Sequence, residues 1–418
     1  MVLQFDINCF KELIETYPTW NALKTFLESE DGGTFCVTDT NKDGLCLIRY
    51  EKGSSNMNLS HSKWFRSVVW NTQLHRPVSI SPPKAASDPL STQTDGLVCQ
   101  ELMDGFMINC FRMAGDNRLY ITSRSKMDAA GQFYSSKTFR QLFVESYLNL
   151  ATESDQMADD LLQVHGKDLM GPLEKDVAVC YSFLVQHKEH RIVTPITENR
   201  SYLLHTCTIH SDGDVTMTDA IPSFRNQAQV PCIPSATLSE TWIQSLCNEN
   251  TWKFQGVVVK DGVGNRWRFR SEKYMTVKSL RGNHPSLLNQ FADLYTQNLT
   301  YMYLEYYPED SIHFFLNTMF MNQIIKMVHD LYIQLHVLKT IVVADIDKMY
   351  LPHLYNLHGI YLSQLRSEGK KITVSEIIQY FHKQPWQRIA FLLKKNQDSY
   401  FAQLGNVINA DPMNEFLA

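Results

Sequence analysis

Residues 251–283 hold eight basic side chains (Lys253, Lys260, Arg266, Arg268, Arg270, Lys273, Lys278, Arg281) against Asp261 and Glu272, interleaved with Trp252, Trp267, Phe269 and Tyr274. Cations beside aromatic rings are how single-stranded nucleic-acid and nucleotide sites are built, the cations neutralising phosphate and the rings stacking bases. The plainer reading of the same residues is a solvated strand face followed by a helix. Other spacings invite chemistry and carry less of it. His187-Lys188-Glu189-His190 is not the His-Glu-x-x-His of a helix-borne metal site and reads as a polar turn. His329 and His336, on a periodic helical stretch, read as half-buried or surface histidines rather than ligands. The aromatic run YMYLEYYPEDSIHFF (301–315) suits helix packing better than a partner surface.

The elements that would position these groups change character along the chain. Before residue 283, short apolar runs alternate with turn residues. TFCVTDTNKDGLCLIRYEKG places two strand-like runs around Asn41-Lys42-Asp43-Gly44. GLVCQELMDGFMINCFRMAGDNRLYITSR repeats the pattern at Asp104-Gly105 and Ala114-Gly115-Asp116-Asn117. VAVCYSFLVQ, SYLLHTCTI and FQGVVVKDGVGNRWRFRS continue it, which predicts a mainly antiparallel β region with interspersed helices. SPPKAASDPLSTQTDG (81–96) reads as a mobile loop. From His284 onward the period is helical: Ile324, Val328, Leu331, Leu335 and Leu338 fall on one face, and Thr373-Val374-Ser375-Glu376 caps the start of a helix running into IIQYFHK. Pro308, Pro352 and Pro385 mark helix starts or breaks. The boundary between the two regions is expected near Gly282–Pro285.

The bulk numbers agree with two packed domains. The chain has 418 residues, 44% hydrophobic and 20% charged, which excludes collagen-like, disordered and coiled-coil classes. No stretch approaches the length of a transmembrane helix, and the N-terminus lacks the basic-then-apolar pattern of a secretory signal. A net charge of −5 gives no global electrostatic case for nucleic acid, so any such case is local. The nine cysteines (Cys9, Cys36, Cys46, Cys99, Cys110, Cys180, Cys207, Cys232, Cys247) are odd in number and never form a Cys-x-x-Cys pair, which reads as reduced thiols in an intracellular compartment.

Five stretches stand in order: Glu101-Leu102-Met103-Asp104-Gly105; Leu119-Tyr120-Ile121-Thr122-Ser123-Arg124; Tyr181-Ser182-Phe183-Leu184-Val185 followed by His190-Arg191-Ile192-Val193; Phe254-Gln255-Gly256-Val257-Val258-Val259-Lys260; and Arg268-Phe269-Arg270-Ser271. This ordered set resembles the nucleotidyltransferase domain shared by RNA ligases, DNA ligases and mRNA capping enzymes. It is most similar to phage-type RNA ligases and the ligase-like proteins of large DNA viruses, and the resemblance is clearest over 60–283. In that family the first stretch commonly reads Lys-x-Asp-Gly, and its lysine attacks the α-phosphate of a nucleoside triphosphate to hold the nucleotide as a phosphoramidate. Here Leu102 stands in its place, and neither Glu101 nor Met103 can do that chemistry. Arg124 keeps an arginine that commonly contacts the nucleotide. Phe183 keeps the ring that stacks the base, while Leu184 replaces the neighbouring glutamate. Gln255 replaces a metal-supporting glutamate with a neutral group of the same shape. Arg268 and Arg270 stand where lysines contact the phosphates, keeping charge but not a positioned amine.

The resemblance implies an α+β protein: an antiparallel-sheet, ligase-like domain over 1–283 followed by an α-helical domain over 284–418. It implies a catalytically inactive module that binds a nucleotide, an RNA end or a protein, with Asp104, Gly105, Arg124, Phe183, Lys260, Arg268 and Arg270 around the ligand. No catalytic residue, metal or required cofactor is expected; ATP or GTP is the nucleotide implied, and the location is the host-cell cytoplasm or a viral factory. Two other readings stand open. One is an active RNA ligase or other nucleotidyltransferase whose nucleophile is another lysine, such as Lys84 or Lys42. The other is a structural or assembly protein whose pocket is closed over by Leu102 and Leu184. Residues 284–418 carry ten basic and twelve acidic side chains, which suits a protein partner better than an RNA clamp.

Overall fold

The computed structural model describes residues 2–38, 43–87, 90, 96–166, 176–219, 227–234, 238–284 and 286–409. The chain divides into two compact units, Met1–Thr276 and Val277–Ala418. The division falls inside a helix, Glu272–Arg281, ahead of the expected Gly282–Pro285 boundary. Asn41, Lys42 and Pro285 lie outside the described residues.

The strands of the first unit are β1 (Gln4–Ile7), β2 (Cys36–Thr38), β3 (Leu45–Arg49), β4 (Val68–Asn71), β5 (Arg76–Ile80), β6 (Val98–Glu101) and β7 (Phe106–Met113). They continue with β8 (Tyr120–Ser123), β9 (Ala178–Gln186), β10 (Arg200–Ile209), β11 (Val215–Thr218), β12 (Gln227–Ala228), β13 (Gly256–Lys260) and β14 (Arg266–Arg270). They form a four-stranded sheet, β2-β3-β4-β5, a three-stranded sheet, β6-β13-β14, and a seven-stranded sheet, β1-β11-β10-β9-β7-β8 with β12 beside β10. All these pairings are antiparallel except that of β12 with β10. The fold class is therefore α+β, with antiparallel sheets in the first unit and helices in the second.

Alternation along the strands feeds separate cores. In β7, Ile108 and Cys110 enter one core and Phe111 and Met113 another; in β9, Tyr181, Phe183 and Val185 enter the first and Ala178 and Cys180 the second. The first core is covered by α3 (Phe139–Leu148) and α4 (Asp155–His165), and α3 opens on a capping box between Thr138 and Gln141. The second is shared with the four-stranded sheet and with α1 (Cys9–Thr16) and α2 (Trp20–Glu28), through Phe10, Leu13, Leu23 and Leu27. A third, smaller core joins Cys99, Val257 and Val259 to Ile243 and Cys247 of α5 (Glu240–Glu249), with Trp267 and Phe269 packed on it.

Part of the stretch read as a mobile loop is paired. The Ala86 amide donates to the Arg266 carbonyl at 2.8 Å and the Arg268 amide donates to the Ala86 carbonyl at 2.9 Å, so this segment runs parallel along the free edge of β14. An exposed strand edge offers unpaired N–H and C=O groups, and here the loop takes them up. Residues 88, 89 and 91–95 lie outside the described residues.

After α6 (Glu272–Arg281), the second unit consists of α7 (Leu287–Thr296), α8 (Thr300–Tyr306), α9 (Ser311–Tyr332), α10 (Leu351–Ile360), α11 (Val374–His382) and α12 (Trp386–Asn409), joined by short helical turns. The Thr373 hydroxyl and the Glu376 carboxylate cap α11 reciprocally, as the spacing predicts. The face expected through Leu338 holds only in part. Ile324 and Val328 are buried, but Leu338 is 60% exposed. The chain turns π-helical over Ile333–Leu338, and wider turns shift the phase that a 3.6-residue period assumes. The aromatic run packs internally, with Tyr303 stacked on Tyr307 at 4.6 Å and on Phe314 at 4.8 Å, while Tyr301, Ile312 and Phe315 stay exposed. Among the described residues no helix is long and apolar enough to cross a membrane.

Candidate functional site

The residues that converge are arginines, and β14 sorts them. Its sequence alternates Arg266-Trp267-Arg268-Phe269-Arg270, so Trp267 and Phe269 go to the third core and the three guanidinium groups go to the opposite face of the sheet. The β13–β14 turn is held by the Asp261 carboxylate, which accepts from the Val263 amide at 3.0 Å and the Asn265 amide at 2.7 Å. Gly256, which starts β13 with φ +135°, cannot be replaced: a Cβ there would lie 2.0 Å from the Phe269 carbonyl oxygen. Register puts Arg270 opposite Gly256, Arg268 opposite Val258 and Arg266 opposite Lys260. Leu102 continues β6 next to Gly256, its amide donating to the Gly256 carbonyl at 2.9 Å, and so lies at the Arg270 end of this face.

Other segments bring further cations. Arg66, which leads into β4, is half-buried, and its guanidinium feels the positive charges of Arg124 and Arg268. Tyr50, just after β3, carries the Arg124 guanidinium 4.6 Å from its ring centre and the Lys84 ammonium at 5.1 Å. Burial pushes Arg266 down to about 9, helped by Arg66 and Arg268; burial and Arg268 lower Arg270, against the opposing pull of Tyr274 and Asp104. Among the described residues no ion pair ties Arg66, Arg124, Arg266, Arg268 or Arg270 to a carboxylate. The Nε atoms of Arg266 and Arg270 are buried without a partner, and one Arg268 Nη donates to the Ser87 hydroxyl at 3.1 Å. Glu101, on the same sheet, lies opposite Val257 and so on the far face from the arginines. The result is a cationic patch assembled from three sheets, whose members repel one another.

The remaining expected ligand contacts have other work. Asp104 is buried: one carboxylate oxygen accepts from the Val193 and Thr194 amides, both at 2.9 Å, and the other from the Tyr274 hydroxyl at 3.0 Å. With these bonds made, it braces three segments rather than meeting a phosphate. Gly105 serves a close approach, since a Cβ there would stand 2.5 Å from the Val185 carbonyl oxygen. Phe183 is fully buried against Phe143 at 5.4 Å and Tyr147 at 5.5 Å, so it cannot stack a base; strand alternation turns it into the α3 core and leaves half-buried Leu184 on the other face. The Gln255 side-chain nitrogen donates to the carbonyls of Met103 at 3.0 Å and Leu102 at 3.2 Å, tying the start of β13 to the segment that follows β6. Lys260 is buried with Asp219 at 3.8 Å, and burial together with Arg266 lowers it to about 8. Nearby His205, buried with both ring nitrogens unpartnered, is held neutral by burial and by Lys260 and Arg266.

A curated viral protein, immediate-early protein ICP-46 of Frog virus 3 (isolate Goorha), is 24% identical to this chain over 232 residues. The match covers 54% of this chain and 56% of that protein, so the chain spans about half the length of the curated relative it matches. The solved structure of an archaeal ATP-dependent RNA ligase (form 1) superposes over 69% of this chain and 68% of its own, at 10% identity and a TM-score of 0.32, too loose a fit to bear on function. No family model matches the chain.

Sequence reasoning missed Arg66 and Tyr50, because neither sits in a motif and both are far from β14 in the chain. It did single out the polar turn at His187. There Glu145, His187 and Glu189 bring three ligand atoms within 4.8 Å, but the Lys137 ammonium already bridges Glu145 at 2.9 Å and Glu189 at 2.7 Å. The His187 Nδ1 accepts from the Glu189 amide at 3.1 Å, which leaves its proton on Nε2, directed at Glu145. A lysine-centred ion-pair network, not a vacant cation site, explains this cluster.

Proposed function

We propose that the chain is a non-catalytic binding module for phosphorylated ligands, a nucleotide or an RNA 5′ end, held on the arginine face of the first unit without metal. The observation that carries this reading is the five-arginine patch, in which no described guanidinium is tied to a carboxylate by an ion pair. Guanidinium groups pair with phosphate oxygens through parallel N–H donors, and half-buried ones do so at reduced dielectric. Leu102 supplies no nucleophile, while Leu184 and Gln255 supply no anionic oxygen for Mg²⁺. Without a metal to compete, the arginines, with Lys84 beside Arg124 on Tyr50, face the anion. The weak similarity to a viral immediate-early protein is compatible with a binding role in a host cell.

The test has two arms on the full-length protein. Incubation with α-labelled ATP or GTP and Mg²⁺ or Mn²⁺, followed by denaturing electrophoresis, should leave the chain unlabelled; a label that survives denaturation makes it an enzyme. Titration with ATP, GTP and 5′-phosphorylated RNA in EDTA should show binding at low salt. No binding of any of the three removes the reading.

A further inference from the structure

The second unit carries a groove of about 730 Å³ formed where the turn before α10 meets the first half of α12, its lining including Lys348, Met349, Pro352, Arg388, Phe391 and Lys395. Its floor is apolar: Phe391 is 53% exposed, flanked by Met349 and exposed Pro352. Three cations surround it, Lys348, Arg388 and Lys395, all exposed, and among the described residues none of them pairs with a carboxylate. Arg388 makes a hydrogen bond to the Gln384 side chain at 3.1 Å. The one acid in the lining, Asp347, caps its own turn by accepting from the Met349 amide at 2.9 Å. His353 is buried, bonded through Nδ1 to the Tyr380 hydroxyl at 2.9 Å, and uncharged at neutral pH because burial and Arg388 bring it to about 4.

We propose that this groove binds an acidic peptide segment that inserts one bulky apolar side chain against Phe391 while its carboxylates meet Lys348, Arg388 and Lys395. Charge decides the occupant. The cations form a local excess within a region, residues 284–418, that carries more acids than bases, so the groove attracts anions where its surroundings repel them. Nucleic acid fits less well. It needs a continuous cationic track along a backbone, whereas here three separated charges rim an apolar floor that would accept an aliphatic or aromatic side chain. This proposal concerns the second unit and stands or falls separately from the arginine face of the first.

Fluorescence anisotropy of the full-length protein tests it with four labelled probes: a short peptide with one phenylalanine flanked by glutamates, its counterpart with lysines for glutamates, a glutamate peptide without the phenylalanine, and a single-stranded oligonucleotide. Because the oligonucleotide also has the arginine face available, it is titrated against Arg268→Ala/Arg270→Ala protein. The acidic phenylalanine peptide should bind best. Arg388→Glu/Lys395→Glu and Phe391→Ala should each weaken it by about tenfold or more, and Lys394→Glu, an exposed neighbour outside the lining, should leave it unchanged. All these positions are at the surface, and unchanged melting confirms that the variants fold. Equal binding of the lysine peptide, an equal loss in Lys394→Glu, no binding of the acidic peptide, or an oligonucleotide that binds more tightly and loses affinity in Arg388→Glu/Lys395→Glu would each overturn the proposal.

Discussion

Replacing Arg268 and Arg270 together by alanine should change not only how tightly 5′-phosphorylated single-stranded RNA binds but how steeply salt weakens it. Each phosphate neutralised on a single strand contributes about −0.7 to the slope of log K against log salt. If Arg66, Arg124, Arg266, Arg268 and Arg270 each meet one, the wild-type slope is about −3.5, and raising salt from about 50 to about 200 mM costs about a hundredfold in affinity. With two arginines gone the slope falls to about −2 and the same change costs about twentyfold. Anisotropy titrations at a series of salt concentrations measure both slopes, and circular dichroism confirms that the double variant is folded. A wild-type slope shallower than about −1, or a double variant with the wild-type slope, would refute the arginine face as the binding surface.

Three further outcomes follow from the same geometry. Leu102→Lys alone should give no self-nucleotidylation on a denaturing gel, because Leu184 and Gln255 still provide no carboxylate for a metal; robust labelling would overturn that assignment. Phe183→Ala should cost about 3–5 kcal/mol in denaturant unfolding through the cavity it leaves, yet leave RNA affinity of the folded protein unchanged; a selective loss of affinity would return Phe183 to the site. Lys260 is charged against its burial, its folded value near 8 lying below the 10.5 of the unfolded chain, so the unfolded state holds the extra proton between those values and stability rises with pH through that window. Lys260→Met should therefore be more stable than wild type below pH 8 by up to about 3 kcal/mol, and that gap should close toward pH 10.5; a gap constant with pH would contradict it.

What the sequence made legible was local periodicity and local capping. The alternation Arg-Trp-Arg-Phe-Arg tells by itself that β14 has a cationic and an apolar face, and Thr373 with Glu376 announces the start of α11. Which face of β9 meets the α3 core is not local, so Phe183 read as an available ring although strand parity had turned it inward. Asp104 reads as a turn residue, and only the fold brings Val193, Thr194 and Tyr274 to its carboxylate. Arg66 and Tyr50 join the site only because the four-stranded and three-stranded sheets of the first unit bring them toward Arg268, a proximity no spacing records. The π-helical turn after Tyr332 likewise breaks a period that the apolar residues themselves keep.

The most direct measurement is a crystal structure of the full-length protein with 5′-phosphorylated RNA bound in EDTA. Phosphate oxygens should lie within about 3 Å of guanidinium nitrogens of Arg268 and of Arg66 or Arg266, with no metal between them. A phosphate bound elsewhere, with these guanidinium groups untouched, would contradict it.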